Sequence, residues 1–185
     1  MKKLAPLLLA LSLFLGASCE SDGYSSDAGS GVEPWPKPAT TLQAAIQIAQ
    51  KKFPDARCTE AGYSDRSGSL VCTVVLVQGD QRHDLQLDEQ GGVTSSTDAP
   101  LDTETRGVLE AYGKLAPGIG MLQAGKSAMD EESGYWTMAA GLGNERGTIL
   151  YQVLLVKGQK SKVARVSAAN GRVDSVQDLD GAEMR

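Results

Sequence analysis

The sequence predicts an α+β fold of two tandem repeats, each with one helix packed on a small antiparallel β-sheet. Three observations carry that prediction. A strand-like run, Val74-Val-Leu-Val-Gln-Gly79, returns 79 residues later as Val153-Leu-Leu-Val-Lys-Gly158. Upstream of each run stands an amphipathic helical pattern closed by a proline. Downstream of each come alternating apolar and polar residues and a second glycine turn.

The first helix is read from Leu42, Ala45, Ile46, Ala49 and Phe53 at helical spacing, with Thr40-Thr-Leu-Gln43 as a capping box and Pro54 as its stop. The second is read from Val108, Ala111, Tyr112 and Leu115, closed by Pro117. Aligning the two prolines gives an offset of 63 against 79 for the hairpins, so the second copy carries 16 extra residues. The repeats then occupy 40–98 and 101–178, followed by a short tail at 179–185.

In the first repeat, Gly79-Asp80 suits a two-residue type II′ turn, which wants glycine first. That register sets Leu76 opposite His83, Val74 opposite Leu85 and Cys72 opposite Leu87, all on the face that receives the helix. Val71, Val75 and Val77 point the other way, and the second copy is the first choice to cover them. Upstream, a three-residue loop at Ser64-Asp-Arg66 would place Cys58 across from Cys72 and allow a cross-strand disulfide, worth about 3 kcal/mol for a loop of about 15 residues. A bulge at Gly68, or two buried free thiols, are the alternatives. In the second repeat Tyr135 to Ala140 reads as a strand and Gly141 to Gly147 as a turn, while Ile119 to Met129 stays open between strand, short helix and loop.

The N-terminus speaks of location. Lys2 and Lys3 precede an apolar run, Leu4 to Ala17, too short for a membrane span and suited to a secretory signal. It ends Leu15-Gly-Ala-Ser-Cys19, which resembles the bacterial lipobox, with Gly16 where that pattern prefers Leu. Residues 1–18 are then a signal peptide and Cys19 the lipidated N-terminus, against a plain cut that leaves a free thiol. Cleavage removes two of 18 basic residues and leaves 16 against 23 acidic, a net charge of −7. Such a body needs its acyl chains to stay on an anionic surface. Export also gives an oxidising compartment, which favours the disulfide and explains the third cysteine. Glu20 stands where inner-membrane retention uses Asp, so the expected place is the cell envelope, lipid-anchored and periplasm-facing or surface-exposed, with the outer membrane favoured. Residues 19–39 read as a Gly/Ser/Pro-rich tether, with Trp35 a solvated linker residue and docking on the domain or a partner the alternative.

The helix ending in Phe53-Pro-Asp-Ala56, the hairpin, Leu85-Gln-Leu-Asp88 and the glycine turn into Val93 together resemble the PepSY domain. The second copy supplies Leu115-Ala-Pro-Gly118 and Val163-Ala-Arg-Val-Ser-Ala-Ala-Asn-Gly-Arg-Val173, with Ser167 where the pattern has Asp. The resemblance spans about 41–96 and, less closely, 103–178. It implies an exported, non-catalytic module associated with the control of peptidases, with no catalytic residues to carry over.

Enzyme chemistry finds little support. His83 is the only histidine and reads as a strand-end residue on the sheet. Gly141-Leu-Gly-Asn-Glu-Arg-Gly147 lacks the spacing and the following helix of a nucleotide fingerprint. Asp130-Glu-Glu132 has no calcium-loop spacing and reads as a solvated acidic loop. The acidic balance argues against nucleic acid, and neither metal nor cofactor has a recognisable site. Met121, Met129, Tyr135 and Trp136 are the candidate partner-binding residues, with core positions the alternative for each. The expected function is a non-catalytic lipoprotein that binds a protein partner and restrains a secreted peptidase; a passive scaffold of the envelope is the alternative.

Overall fold

The computed structural model describes residues 35–66, 69–115 and 118–179; the residues read as a signal peptide, Cys19 and most of those read as a tether lie outside them. In chain order the elements are α1 (Leu42–Lys52), β1 (Arg57–Arg66), β2 (Ser69–Gln78), β3 (Gln81–Leu87), β4 (Val93–Pro100), α2 (Thr103–Gly113), α3 (Met121–Glu131), β5 (Trp136–Glu145), β6 (Thr148–Lys157), β7 (Lys160–Ser167) and β8 (Val173–Leu179). All eight strands form one antiparallel sheet in the order β4-β3-β2-β1-β5-β6-β7-β8. The α+β class holds, but two separate small sheets do not form. β1 pairs with β5 through Glu60–Gly141, Ala61–Ala140 and Gly62–Ala139. Each of those strands would otherwise expose an unpaired edge, and their small side chains let the two halves meet closely. The second half therefore joins the first edge to edge and does not stack on the outer valines. Val75 and Val77 are nonetheless buried, 3% and 5% exposed, between cross-strand neighbours Glu60, Asp84, Arg57 and Arg82.

α1 lies over β1 and β2, α3 over β5 to β8, and the two helices touch. Leu42, Ala45, Ile46 and Ala49 of α1 and Met121, Ala124 and Ala128 of α3 enter one core with Leu76, Leu85, Tyr151, Val153 and Val166 of the sheet. The helix that matches α1 is thus α3, and the expected 16-residue insertion dissolves. Leu42 and Met121, Arg57 and Trp136, and Ser69 and Thr148 each start matching elements 79 residues apart. Even the bulges correspond, after Cys58 in β1 and after Thr137 in β5. The helix read at Val108 to Leu115 is real but is the connector, α2, which reaches the ends of β5 and β6.

The β2–β3 register is as predicted: Cys72–Leu87, Val74–Leu85 and Leu76–His83, turned by Gly79 at φ 60° and repeated by Gly158 at φ 61°. The β1–β2 register is not. β1 runs on to Arg66, which pairs with Ser69, so Cys58 faces Leu76 while Cys72 faces Tyr63. The cysteines are offset by four residues of β2, about 13 Å of strand, too far for a disulfide; both are buried free thiols. Nor is Gly141 to Gly147 a turn: β5 continues to Glu145, and Arg146-Gly147 alone turns the chain. Asp130 and Glu131 lie in the last turn of α3, with Glu132 as its C-cap.

Thr41, not Thr40, caps α1, accepting the Ala44 N–H at 3.2 Å. Thr40 is occupied otherwise: its N–H donates to Glu89 O at 3.0 Å, and its carbonyl accepts the Tyr63 hydroxyl. Trp35 departs from the solvated-linker reading. Its N–H donates to Gly158 O at 3.3 Å and its ring rests against the core, while Pro38 is buried. The end of the tether is therefore part of the domain.

Candidate functional site

At the end of the sheet that carries the β2–β3 turn, the last turn of α1, the connector α2 and the first turn of α3 surround a groove of about 490 Å³. Ile46, Ala56, Val77, Leu109, Met121 and Leu122 give it apolar walls. Arg57 holds its guanidinium 4.1 Å from the centroid of the Tyr112 ring, a cation–π contact that fixes the side chain without neutralising it. Arg57 is exposed and makes no ion pair among the described residues. The Tyr112 hydroxyl donates to Ile119 O at 2.6 Å, and Tyr151 donates to the same carbonyl at 3.0 Å. Those two bonds lock the connector to the start of α3 and so hold the groove open.

The floor is chemically quiet. The Cys58 thiol donates to Met121 Sδ at 3.4 Å and lies 3.5 Å from Glu60 O. Burial pushes its pKa well above the usual thiol range, so the nucleophilic thiolate is suppressed. The groove offers apolar contact, the Arg57 cation beside the Asp55 carboxylate, and the amides of Gln50 and Gln78.

The four partner-binding candidates do not form one patch. Met121, 3% exposed, lies in the groove wall. Met129, partly buried farther along α3, accepts a bond from Gln43 Nε2 at 3.7 Å and ties α3 to α1. Tyr135 and Trp136 lie at the opposite end of the sheet, both partly buried against the core. Trp136 meets Tyr63 edge-on with centroids 6.5 Å apart; Lys162 and Lys157 stand 5.3 and 5.7 Å from the Tyr135 centroid. Cys19 lies outside the described residues.

Sequence reasoning missed Arg57, Leu109 and Tyr112 as groove residues. Tyr112 counts there as a core residue of the second helix, and nothing in a lone Arg marks a cation stacked on a ring from another element. The available signal was the constant 79-residue offset, which pairs Leu42 with Met121 and leaves α2 free for another task.

The remaining titratable groups have structural partners. His83 is 9% exposed, stacks on Phe53 with centroids 4.1 Å apart, and meets Asp98 through Nδ1 at 2.8 Å. On the other face Glu60 and Asp84 flank Val75. Burial raises the Glu60 carboxyl, with the Arg82 charge opposing; Arg82 Nε donates to Asp84 at 2.7 Å. Among the described residues no three His, Cys, Asp or Glu side chains gather to hold a metal, and no helix is long and apolar enough to cross a membrane.

Fold and groove together define an α+β protein with helices over a single eight-stranded sheet and an apolar groove at one end. Two solved structures are similar to it. One, described as a candidate lipoprotein from Clostridium difficile 630, is 21% identical with a TM-score of 0.47, covering 80% of this chain and 99% of its own. The other, the YpeB C-terminal domain of Bacillus megaterium, is 14% identical with a TM-score of 0.30, covering 79% of this chain and 68% of its own. No family model and no curated protein matches the chain.

Proposed function

We propose that this chain is a non-catalytic lipoprotein of the bacterial envelope, built from two PepSY-like units fused through one sheet, that binds a protein partner in its end groove. The observation that carries the reading is the groove itself, whose size falls in the range of ligand sites. Its apolar walls suit a few buried side chains of a partner, and Arg57, stacked on Tyr112 and without an ion pair among the described residues, suits a carboxylate beside them. The recurrence of α1 and β1–β3 at a 79-residue offset supports duplication, and a groove at the seam is then a feature neither unit has alone. Anchoring follows from the lipobox at Cys19. A secreted peptidase is the partner class that the PepSY resemblance suggests.

The test is capture from envelope extract with the wild-type chain and with Leu109→Arg, followed by titration of the captured protein's activity. A peptidase that binds wild type only and loses activity on titration supports the reading. Equal capture by both chains would place the interface elsewhere, and unaffected proteolysis with structural envelope proteins captured would favour a scaffold.

A further inference from the structure

The opposite end of the sheet has a different character. There Trp35 bonds Gly158 in the β6–β7 turn, Trp136 begins β5, and Tyr135 precedes it. Lys157 arches over this corner: a Cβ at Gly134 would meet its Nζ at 2.8 Å. Lys37, Lys157 and Lys160 are exposed and make no ion pair among the described residues. Two neighbouring carboxylates, Glu132 and Asp178, are engaged. Glu132 meets Lys162 at 2.9 Å and Asp178 meets it at 3.7 Å.

We infer that this corner, formed by Trp35, Tyr135 and Trp136 with Lys37, Lys157 and Lys160, rests on the headgroups of an anionic phospholipid bilayer and orients the anchored protein. The inference rests on the lipid anchor proposed above. Three observations favour a bilayer as occupant. The chain outside the described residues joins the domain at this corner, since Trp35 is the first described residue. Only 15 residues, Glu20 to Pro34, separate it from Cys19, which spans at most roughly 55 Å. Tryptophan and tyrosine favour the bilayer interface, where their rings stay apolar and their polar atoms wet. The net acidity of the whole chain does not oppose this contact, because the screening length at physiological salt is about 8 Å and only charges at the contact are felt. β1 alone spans ten residues, about 33 Å, so a corner held to the membrane points the groove away from it.

The test uses both tryptophans of the chain, because both lie in this corner. The full-length processed chain is reconstituted in phosphatidylcholine vesicles, with and without about 30 mol % phosphatidylglycerol, and tryptophan quenching by lipids brominated near the headgroup is read. Quenching should rise at least about twofold with phosphatidylglycerol and return to the phosphatidylcholine level in K37E/K157E/K160E or in about 0.5 M salt, where the screening length is roughly 4 Å. Equal quenching with and without the anionic lipid, or in wild type and the triple variant, overturns the inference. The mass of the N-terminal peptide separates the two proposals. An acylated Cys19 without anionic quenching refutes the corner and keeps the anchor. An unmodified Cys19 with quenching retained on added vesicles refutes the anchor and keeps the corner.

Discussion

Where α1 ends, Phe53 stacks on His83, and His83 bonds Asp98 on the edge strand. Where α3 ends, 79 residues on, Glu132 bonds Lys162, and Lys162 reaches Asp178 on the other edge strand. The three positions match and the chemistry does not: an aromatic stack with a histidine–carboxylate bond in one half, an ionic triad in the other. The helix starts show the same pattern. The N–H groups of Thr40 and Ile119 donate to Glu89 O and Ala168 O, again 79 residues apart. Their carbonyls accept tyrosine hydroxyls, Tyr63 from β1 in the first half and Tyr151 from β6 in the second. Tyr63 and Cys72 are cross-strand partners, as are Leu142 and Tyr151, so the tyrosine has changed strand and kept its acceptor. Backbone geometry is what the halves share, and side-chain chemistry is free to differ while it satisfies that geometry.

The largest effects should come from the tyrosines. Tyr151 is fully buried, and Tyr151→Ala should cost about 4 kcal/mol in urea unfolding. Removing hydroxyls alone should sharpen the comparison. Tyr151→Phe should cost less than Tyr63→Phe, because Ile119 O keeps Tyr112 as a donor while the structure gives Thr40 O one tyrosine. An equal cost would mean that Tyr112 does not compensate.

Next come the helix ends. Phe53→Ala should cost about 3 kcal/mol with little change in 1 M salt. Glu132→Ala should cost less, and its effect should shrink in the same salt. The Lys162 ammonium is raised above its ordinary value, chiefly by the bond to Glu132. Its contribution is therefore complete below the ordinary lysine value and is lost as pH rises through the raised one. Thermal melts of both variants across pH and salt check this, and a salt-insensitive Glu132→Ala would end the ionic account.

Smaller again is the cap of the connector. Asp102 accepts the Thr105 N–H at 2.7 Å, and Asp102→Ala should cost about 1 kcal/mol. Bonds from Thr105 hold its carboxyl below the usual range. This stabilisation is present above the ordinary aspartate value and fades as pH falls through the lowered one. Thr41 on α1 has no such titration, so far-UV circular dichroism of Asp102→Asn should resemble wild type at acid pH and differ from it at neutral pH. The smallest expected effect is none. Burial raises Cys58 strongly and Cys72 to about 12, so reductant should leave the melting temperature unchanged, and alkylation should reach both thiols only after unfolding. A linked peptide under non-reducing conditions would contradict the register found for β1.

Much of the first half was legible because its signals are local. Helical spacing from Leu42 to Ala49, the Gly79-Asp80 turn and alternation along β3 each act within a few residues and set a register that the sheet keeps. The β1–β2 register was less legible, since one bulge at Thr59 and a shorter loop than expected move Cys58 away from Cys72. The second helix was misplaced because Pro117 closes the Val108 to Leu115 pattern as Pro54 closes α1, whereas α3 starts at Gly120 with no side-chain cap bond and has no proline after it. The edge pairing of β1 with β5 depends on Ala61, Gly62, Ala139 and Gly141, small residues whose meaning appears only when another backbone approaches. The groove was out of reach for the same reason, because Arg57, Leu109 and Met121 come from three separate elements.

The most direct measurement of the partner-binding claim is photocrosslinking from position 109. A photoreactive residue in place of Leu109, in the full-length chain within intact envelopes, should give one dominant protein adduct that Arg57→Glu abolishes. No adduct above that from the exposed position of Lys51, or an adduct indifferent to Arg57, would contradict the account.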